Sequence, residues 1–341
     1  MIRLHARIER RELVKPFVIS TGARTHQDVL VVELHDGPVM GRGAATGVRY
    51  LGDTAESLLA QVMGVRTEVE AGLTREALLS TLPAGGVRAA LDAALWELEA
   101  ARESTTVAAR LGVVPAPLAS AYTIVLDTPE AMRAQAHGEA WRPLLKIKLG
   151  ARDEREADRM RAVRAGAPDT ALVIDANAGW TPDSLPHLAA TAAELDYALL
   201  EQPLPVGEEA ALALARGTLP LCADESFQTL ADLDALDGVV DMINIKLDKC
   251  GGLTAALHIA DAARERGLGI FIGCMVGPAE AIAPAYLLAQ SIAEGLDHVD
   301  LDGPFWLKSD TSKVRLLPNG YMSPIAPDVW GAGKSSSQLR N

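Results

Sequence analysis

"PLLKIKLG", residues 143–150, decides the fold. Alternate residues of a strand leave on opposite faces, so Leu145, Ile147 and Leu149 share one side and Lys146 and Lys148 the other. The apolar side can pack under a helix, whereas two cations on one face call for acids opposite them. From residue 119 onward the chain offers further short runs of this kind: "ASAYTIVL" (119–126), "TALVIDAN" (170–177), "YALLEQPL" (197–204), "LPLCADES" (219–226), "DMINIKLD" (241–248), "LGIFIGCM" (268–275) and "DHVDLDGP" (297–304). Helical patterns lie between them, such as "DEREADRMRAVRAG" (153–166) and "TAALHIADAARERG" (254–267). The repeat is roughly 25 residues, the size of a βα unit. Eight strands at that spacing predict a closed (β/α)8-type barrel, a TIM barrel. An open doubly wound sheet is the structural rival, but it wants an early glycine-rich phosphate turn, and the sequence has no G-x-G-x-x-G.

The first part of the chain is organised differently. "DVLVVELHDG" (28–37) reads as a strand entering a hairpin, and "GRGAATGVRY" (41–50) as its glycine-rich return. Helices follow at 53–72, with Asp53 or Thr54 as the cap, at 74–83, and at 85–104, where "GGVRAALDAALWELEAARES" is strongly amphipathic. Strands followed by helices predict an α+β unit over 1–118, ahead of a barrel over 119–325. The tail, 326–341, ends in "GAGKSSSQLRN", which reads as unstructured.

Composition narrows the function. Of 341 residues, 49% are hydrophobic and 23% charged, as in a soluble globular protein. The net charge of -13 argues against nucleic acid or an anionic membrane face as partner. The N-terminus "MIRLHARIER" has no apolar h-region, and no apolar stretch approaches the roughly 20 residues needed to span a bilayer. Cys222, Cys250 and Cys274 are odd in number and scattered, so buried reduced thiols and a cytoplasmic location are expected.

In barrels of this type the active site lies at the C-terminal ends of the strands. Those ends carry Lys146 and Lys148, Asp175 and Asn177, Glu201, Asp224 and Glu225, Lys246, and Asp300 and Asp302. Asp175, Glu201 and Asp224 come from three consecutive strands and would converge. Two unit charges at about 4 Å repel by roughly 4 kcal/mol at an effective dielectric near 20. A hard cation removes that repulsion, and three carboxylate oxygens with water and substrate suit octahedral Mg²⁺. With no His or Cys beside these acids, Zn²⁺ is disfavoured. Each acid taken singly could instead cap the helix that follows.

Lys148 and Lys246 fall on the second and sixth of eight strands, opposite each other across a ring. A substrate held between them would meet one lysine on each face. Lys146, a like charge beside Lys148, would lower the pKa of Lys148 and favour a neutral amine that can accept a proton. Lys249 reads as a surface residue at the start of the next helix.

Five short motifs, "KIK" (146–148), "DAN" (175–177), "EQP" (201–203), "ADES" (223–226) and "NIK" (244–246), together resemble the enolase superfamily in its muconate-lactonising subgroup. The resemblance implies an N-terminal capping domain, with substrate-specificity loops, over a modified (β/α)7β barrel. It implies Mg²⁺ on Asp175, Glu201 and Asp224, with Lys148 and Lys246 as the acid/base pair; a Lys base and a metal-stabilised enediolate belong to that superfamily. The mandelate racemase subgroup would want a His base near "GIFIGCMVG" (269–277), which has none. The D-x-D of Asp300 and Asp302 resembles the dipeptide epimerases, where the pair holds the free α-ammonium of a dipeptide. "PFVISTGART" (16–25) resembles the family's mobile cap loop, which places Arg24 against a side-chain carboxylate, and "SAYT" (120–123) resembles its first barrel strand, with Thr123 near the substrate carboxylate.

The implied reaction is 1,1-proton transfer at the α-carbon of the C-terminal residue of a dipeptide, L-Ala-D/L-Glu in the first instance, with Lys146 gripping the substrate carboxylate. The small-molecule dipeptide is the implied partner, and a homo-oligomer is compatible with it. The rivals on the same scaffold are o-succinylbenzoate synthase, N-succinylamino acid racemase and muconate cycloisomerase; none of their substrates carries a free ammonium. A Schiff-base aldolase using Lys148 and a non-catalytic metal-binding barrel are the readings from other classes. "VGPAEA" (276–281) and "ATGVRYLGDT" (45–54) depart from the family pattern and leave the acceptor side chain open.

Overall fold

The computed structural model describes residues 1–19, 22–310 and 313–335. Residues 20 and 21 of the cap loop and the last six residues of the tail lie outside the described residues.

The chain opens with β1 (Arg3–Ile19), β2 (Gly22–Asp36) and β3 (Val39–Ala45). They form an antiparallel sheet whose fourth strand, β12 (Lys334–Ser335), comes from the other end of the chain. β1 was not anticipated, because its alternation is masked by charged residues on the outer face; Leu4 and Leu13 on it are buried. The run Val29–Val32 is apolar throughout because both faces of β2 are covered. Leu30 and Val32 pack on the cap helices, while Val29, Val31 and Ala44 meet Ala281 of a barrel helix. The helix Gly86–Arg102 lies so close to β3 that a Cβ on Gly41 would stand 2.1 Å from the Ala94 oxygen. On Gly43 it would stand 1.9 Å from the Ala90 oxygen. The glycine-rich return is thus a seat for a helix backbone. Thr54 caps the helix Ala55–Gly64, while Asp53 accepts the Val48 N–H instead.

Eight parallel strands follow in sequence order: β4 (Tyr122–Ile124), β5 (Leu144–Lys148), β6 (Ala171–Asp175), β7 (Leu199–Glu201), β8 (Leu221–Ala223), β9 (Met242–Ile245), β10 (Gly269–Gly273) and β11 (Leu296–Asp300). The ring closes where Ala121 N–H donates to the Val299 oxygen at 2.8 Å. The expected barrel is present, with the antiparallel cap sheet before it. β11 is followed by a 3-10 turn, Gly303–Trp306, rather than a crossover helix, as a (β/α)7β barrel requires.

The tail departs from expectation. Trp330 is buried and donates to the Arg42 oxygen, Gly331 N–H donates to Glu97, and β12 pairs with β3 through Met40 and Val39. The end of the chain therefore clasps the cap to the barrel, because Glu97 and the free edge of β3 both need backbone partners.

Candidate active site

Inward-facing residues of the barrel form tiers. The lower tier is an apolar plug of Leu144, Val173, Leu199, Cys222, Met242 and Phe271. Two residues further along each strand, the same face presents Lys146, Asp175, Glu201, Asp224 and Asn244; two more bring Lys148 and Lys246. The period of two thus converts a run of ordinary strands into a charged layer above a dry one.

Asp175, Glu201 and Asp224 are all buried, with one carboxylate oxygen from each lying within 4.8 Å of the others. Lys148 Nζ donates to Asp175 Oδ2 at 2.6 Å and Lys246 Nζ to Asp224 Oδ2 at 2.5 Å. Lys146 Nζ sits among Glu201 (2.8 Å), Asp175 (3.0 Å) and Asp300 (3.1 Å). Burial opposes the ionisation of Asp175, but the charges of Lys146 and Lys148 outweigh it and hold the group well below the usual carboxylate range. Burial likewise opposes that of Asp224, which Lys246 and Lys249 hold down. Glu201 goes the other way: burial, then the charge of Asp175, push it up to about 8.

Of the three carboxylates, Glu201 alone resists ionisation even with Lys146 beside it, so its charge is the one left under-compensated. Glu201 Oε2 is buried without a well-directed hydrogen bond. An all-oxygen donor set with that deficit fits a hard divalent cation such as Mg²⁺.

The cavity above the triad, about 800 Å³, brings together Arg24, Thr123, Lys146, Lys148, Asp224, Lys246, Asp300 and Asp302. β5 and β9 are four strands apart in the eight-strand order, so Lys148 and Lys246 enter from opposite walls. Lys146 differs from expectation. Burial works against its charge, yet Asp175, Glu201 and Asp300 hold it well above the ordinary lysine range. Its charge is matched by acids and does not stand as a bare like charge beside Lys148.

Asp302 lies two residues past β11, at the start of the 3-10 turn, and its Oδ2 accepts from Thr123 N–H (2.8 Å) and Trp306 Nε1 (2.9 Å). Burial, then the charge of Asp300, push it up to about 6. Among the described residues, Asp300 Oδ1 is a buried acceptor with no hydrogen-bond partner. Thr123 stands beside Asp302 as well as opposite Lys146 in the β4–β5 register. Arg24 is half-buried at the cap side of the cavity, its guanidinium 5.2 Å from the Phe17 ring.

Lys249 corrects the sequence reading. It is buried, and its Nζ donates to Asp224 Oδ1 and to the Asp224 oxygen, both at 2.6 Å. The helical turn Leu247–Cys250 starts directly at Lys246, so the third residue on folds back over the strand end. Asn244, which donates to Glu201 Oε1 at 2.7 Å, was also missed. Its position two before Lys246 puts it on the same face, a signal the alternation already contained. Gln202 accepts from Asp224 N–H (2.9 Å) and Ser226 N–H (3.0 Å) and donates to the Leu204 oxygen, tying the "EQP" and "ADES" stretches together. It does so at a φ of 37°, and Asn177 (43°) and Ala178 (57°) beside Asp175 are also left-handed. Such backbone costs of order 1–3 kcal/mol each and is held by its surroundings.

Known proteins resemble this chain over most of its length. Residues 1–112 match the family described as mandelate racemase / muconate lactonizing enzyme, N-terminal domain, and residues 130–333 match enolase C-terminal domain-like. The chain is 42% identical over 310 residues to the L-Ala-D/L-Glu epimerase of Escherichia coli (strain K12), covering 90% of this chain and 95% of that protein. A crystal structure of an enolase family member from Agrobacterium tumefaciens with homology to dipeptide epimerases holds sodium and L-Ala-L-Glu. It superposes with a TM-score of 0.92 at 40% identity, covering 97% of this chain and 100% of that one. The dipeptide epimerase of Enterococcus faecalis V583, complexed with Mg and L-Leu-L-Tyr, superposes with a TM-score of 0.86 at 26% identity, covering 95% and 97%.

Proposed function

The chain belongs to the mandelate racemase/muconate-lactonising branch of the enolase superfamily, and on that premise we propose that it is a dipeptide epimerase, an isomerase that inverts the C-terminal residue of L-Ala-D/L-Glu. The observation that carries the reading is the placement of Lys148 and Lys246 on opposed walls above the acidic triad, with Asp300 Oδ1 left as an unpaired acceptor.

Asp175, Glu201 and Asp224 would hold Mg²⁺, which supplies a Lewis acid for the substrate carboxylate. Lys146 adds an ammonium beside that carboxylate and stabilises the negative charge that develops as the α-proton leaves. Losing one such donor typically costs about 3 kcal/mol of barrier. One of Lys148 and Lys246 takes the α-proton as a neutral amine; the other, as an ammonium, returns a proton to the opposite face. Asp300 and Asp302 hold the substrate α-ammonium, which fixes the C-terminal residue between the lysines. Arg24 faces the side-chain carboxylate, and Thr123 orients Asp302.

The ammonium is what separates this reading from o-succinylbenzoate synthase, N-succinylamino acid racemase and muconate cycloisomerase. A cytoplasmic location fits three cysteines that form no disulfide. No described helix is long and apolar enough to cross a membrane.

A dipeptide library incubated with the Mg²⁺-loaded protein in heavy water tests the reading by mass spectrometry. One deuterium at the C-terminal α-carbon of L-Ala-L-Glu and L-Ala-D-Glu is expected, and EDTA should abolish it. Conversion without deuterium, or no exchange into any dipeptide, would overturn it.

A further inference from the structure

The cations deep in the cavity each face an acid, but two at its cap side do not. Arg24, near the start of β2, and Arg49, in the turn after β3, line the cavity from the cap. Among the described residues neither makes an ion pair, and Arg24 Nε is buried with no hydrogen-bond partner. The two guanidiniums are close enough that Arg49 adds to burial in lowering Arg24 to about 10. Asp28, the acid whose ionisation feels Arg49, is already held by Arg10 through hydrogen bonds of 2.8 and 3.1 Å.

Arg49 also stands on a fixed base. Thr46 and Gly47 donate their N–H groups to Asp248 Oδ1 at 2.7 and 2.9 Å, and Val48 N–H donates to Asp53 at 2.7 Å. The 3-10 turn Arg49–Leu51 is then closed by Gly52 at a φ of 91°. Asp248 lies two residues past Lys246, so the barrel wall that carries one lysine also positions this arginine. A third arginine of the cavity, Arg152, comes from the barrel and donates to the Ala178 oxygen at 3.4 Å. Two neighbouring guanidiniums with no acid paired to either repel each other, and an anion placed between them reverses that cost.

We propose that Arg49 is a second specificity residue, which with Arg24 clamps the side-chain carboxylate of an acidic C-terminal residue and so selects Glu over its neutral isostere Gln. This rests on the epimerase reading and extends it to the side-chain pocket.

The test compares L-Ala-L-Glu with L-Ala-L-Gln in full-length wild type, Arg49→Leu and Arg49→Lys. It measures kcat/KM by deuterium exchange and binding by calorimetry in the presence of Mg²⁺. A charge-assisted hydrogen bond is worth about 10- to 100-fold in affinity. The Glu-to-Gln ratio of kcat/KM should fall by about that factor in R49L, mainly through KM, with R49K in between because a lysine keeps the charge and loses the planar fork. An unchanged ratio in both variants, or an equal loss on both dipeptides, overturns the clamp. If wild type exchanges deuterium into neither dipeptide, the epimerase reading fails. A Glu-over-Gln binding preference that R49L abolishes would still uphold the clamp, and no such preference in wild type would overturn it.

Discussion

Lys249 Nζ lies 2.6 Å from Asp224 Oδ1 and 2.6 Å from the main-chain oxygen of the same residue. With Lys246 on Oδ2, Asp224 is gripped from both sides. Removing one partner of a buried ion pair costs about 3–5 kcal/mol, because the other charge is left uncompensated. Lys249→Met should therefore lower stability by roughly 3 kcal/mol in EDTA. Added Mg²⁺ should recover more of that loss than it adds to wild type, since it replaces the positive charge that Asp224 Oδ1 has lost. Urea unfolding in EDTA and in Mg²⁺ checks this; an equal Mg²⁺ effect in both proteins would contradict it.

Asp302 sets a pH limb. Its pKa in the fold, about 6, is raised by burial and by Asp300. Its contribution to stability is present below the ordinary Asp value and is lost as pH rises through about 6. Substrate binding runs the opposite way, because holding an ammonium needs the carboxylate. For L-Ala-L-Glu, kcat/KM should rise through pH about 6, and Asp302→Asn should lose both the limb and most of the activity. A limb that survives in the variant belongs to another group.

Gly43 tests the cap. A Cβ there would meet the Ala90 oxygen at 1.9 Å, and overpacking of this kind costs about 1–3 kcal/mol. Gly43→Ala should lower the urea midpoint and raise KM more than it lowers kcat, since the cap carries Arg24 but neither lysine. Gly72→Ala, with open space at its Cβ but a φ of 101°, should lower stability through backbone strain alone and leave KM unchanged.

Much of this was legible because the barrel obeys a period of two. Leu144, Lys146 and Lys148 share a face in the sequence and in the fold, and the same rule places Val173 under Asp175 and Met242 under Lys246. What escaped depends on turns and distant packing. Lys249 looks like a surface residue until a four-residue helix turns it over Asp224. β1 hides its alternation behind arginines, and Gly41 and Gly43 read only as part of a glycine-rich return when they seat a helix. The fate of Trp330 depends on Arg42, nearly three hundred residues away in the chain, a separation no local pattern can bridge.

The central claim is that two opposed lysines serve opposite faces of one α-carbon. It is tested most directly by incubating Lys148→Ala and Lys246→Ala with each epimer of L-Ala-Glu in heavy water, following the α-proton by NMR. Each variant should lose epimerisation by about 10²–10⁴-fold, yet keep exchange on one epimer, and the two variants should keep opposite ones. Retention of the same epimer's exchange by both, or continued epimerisation by either, would contradict the account.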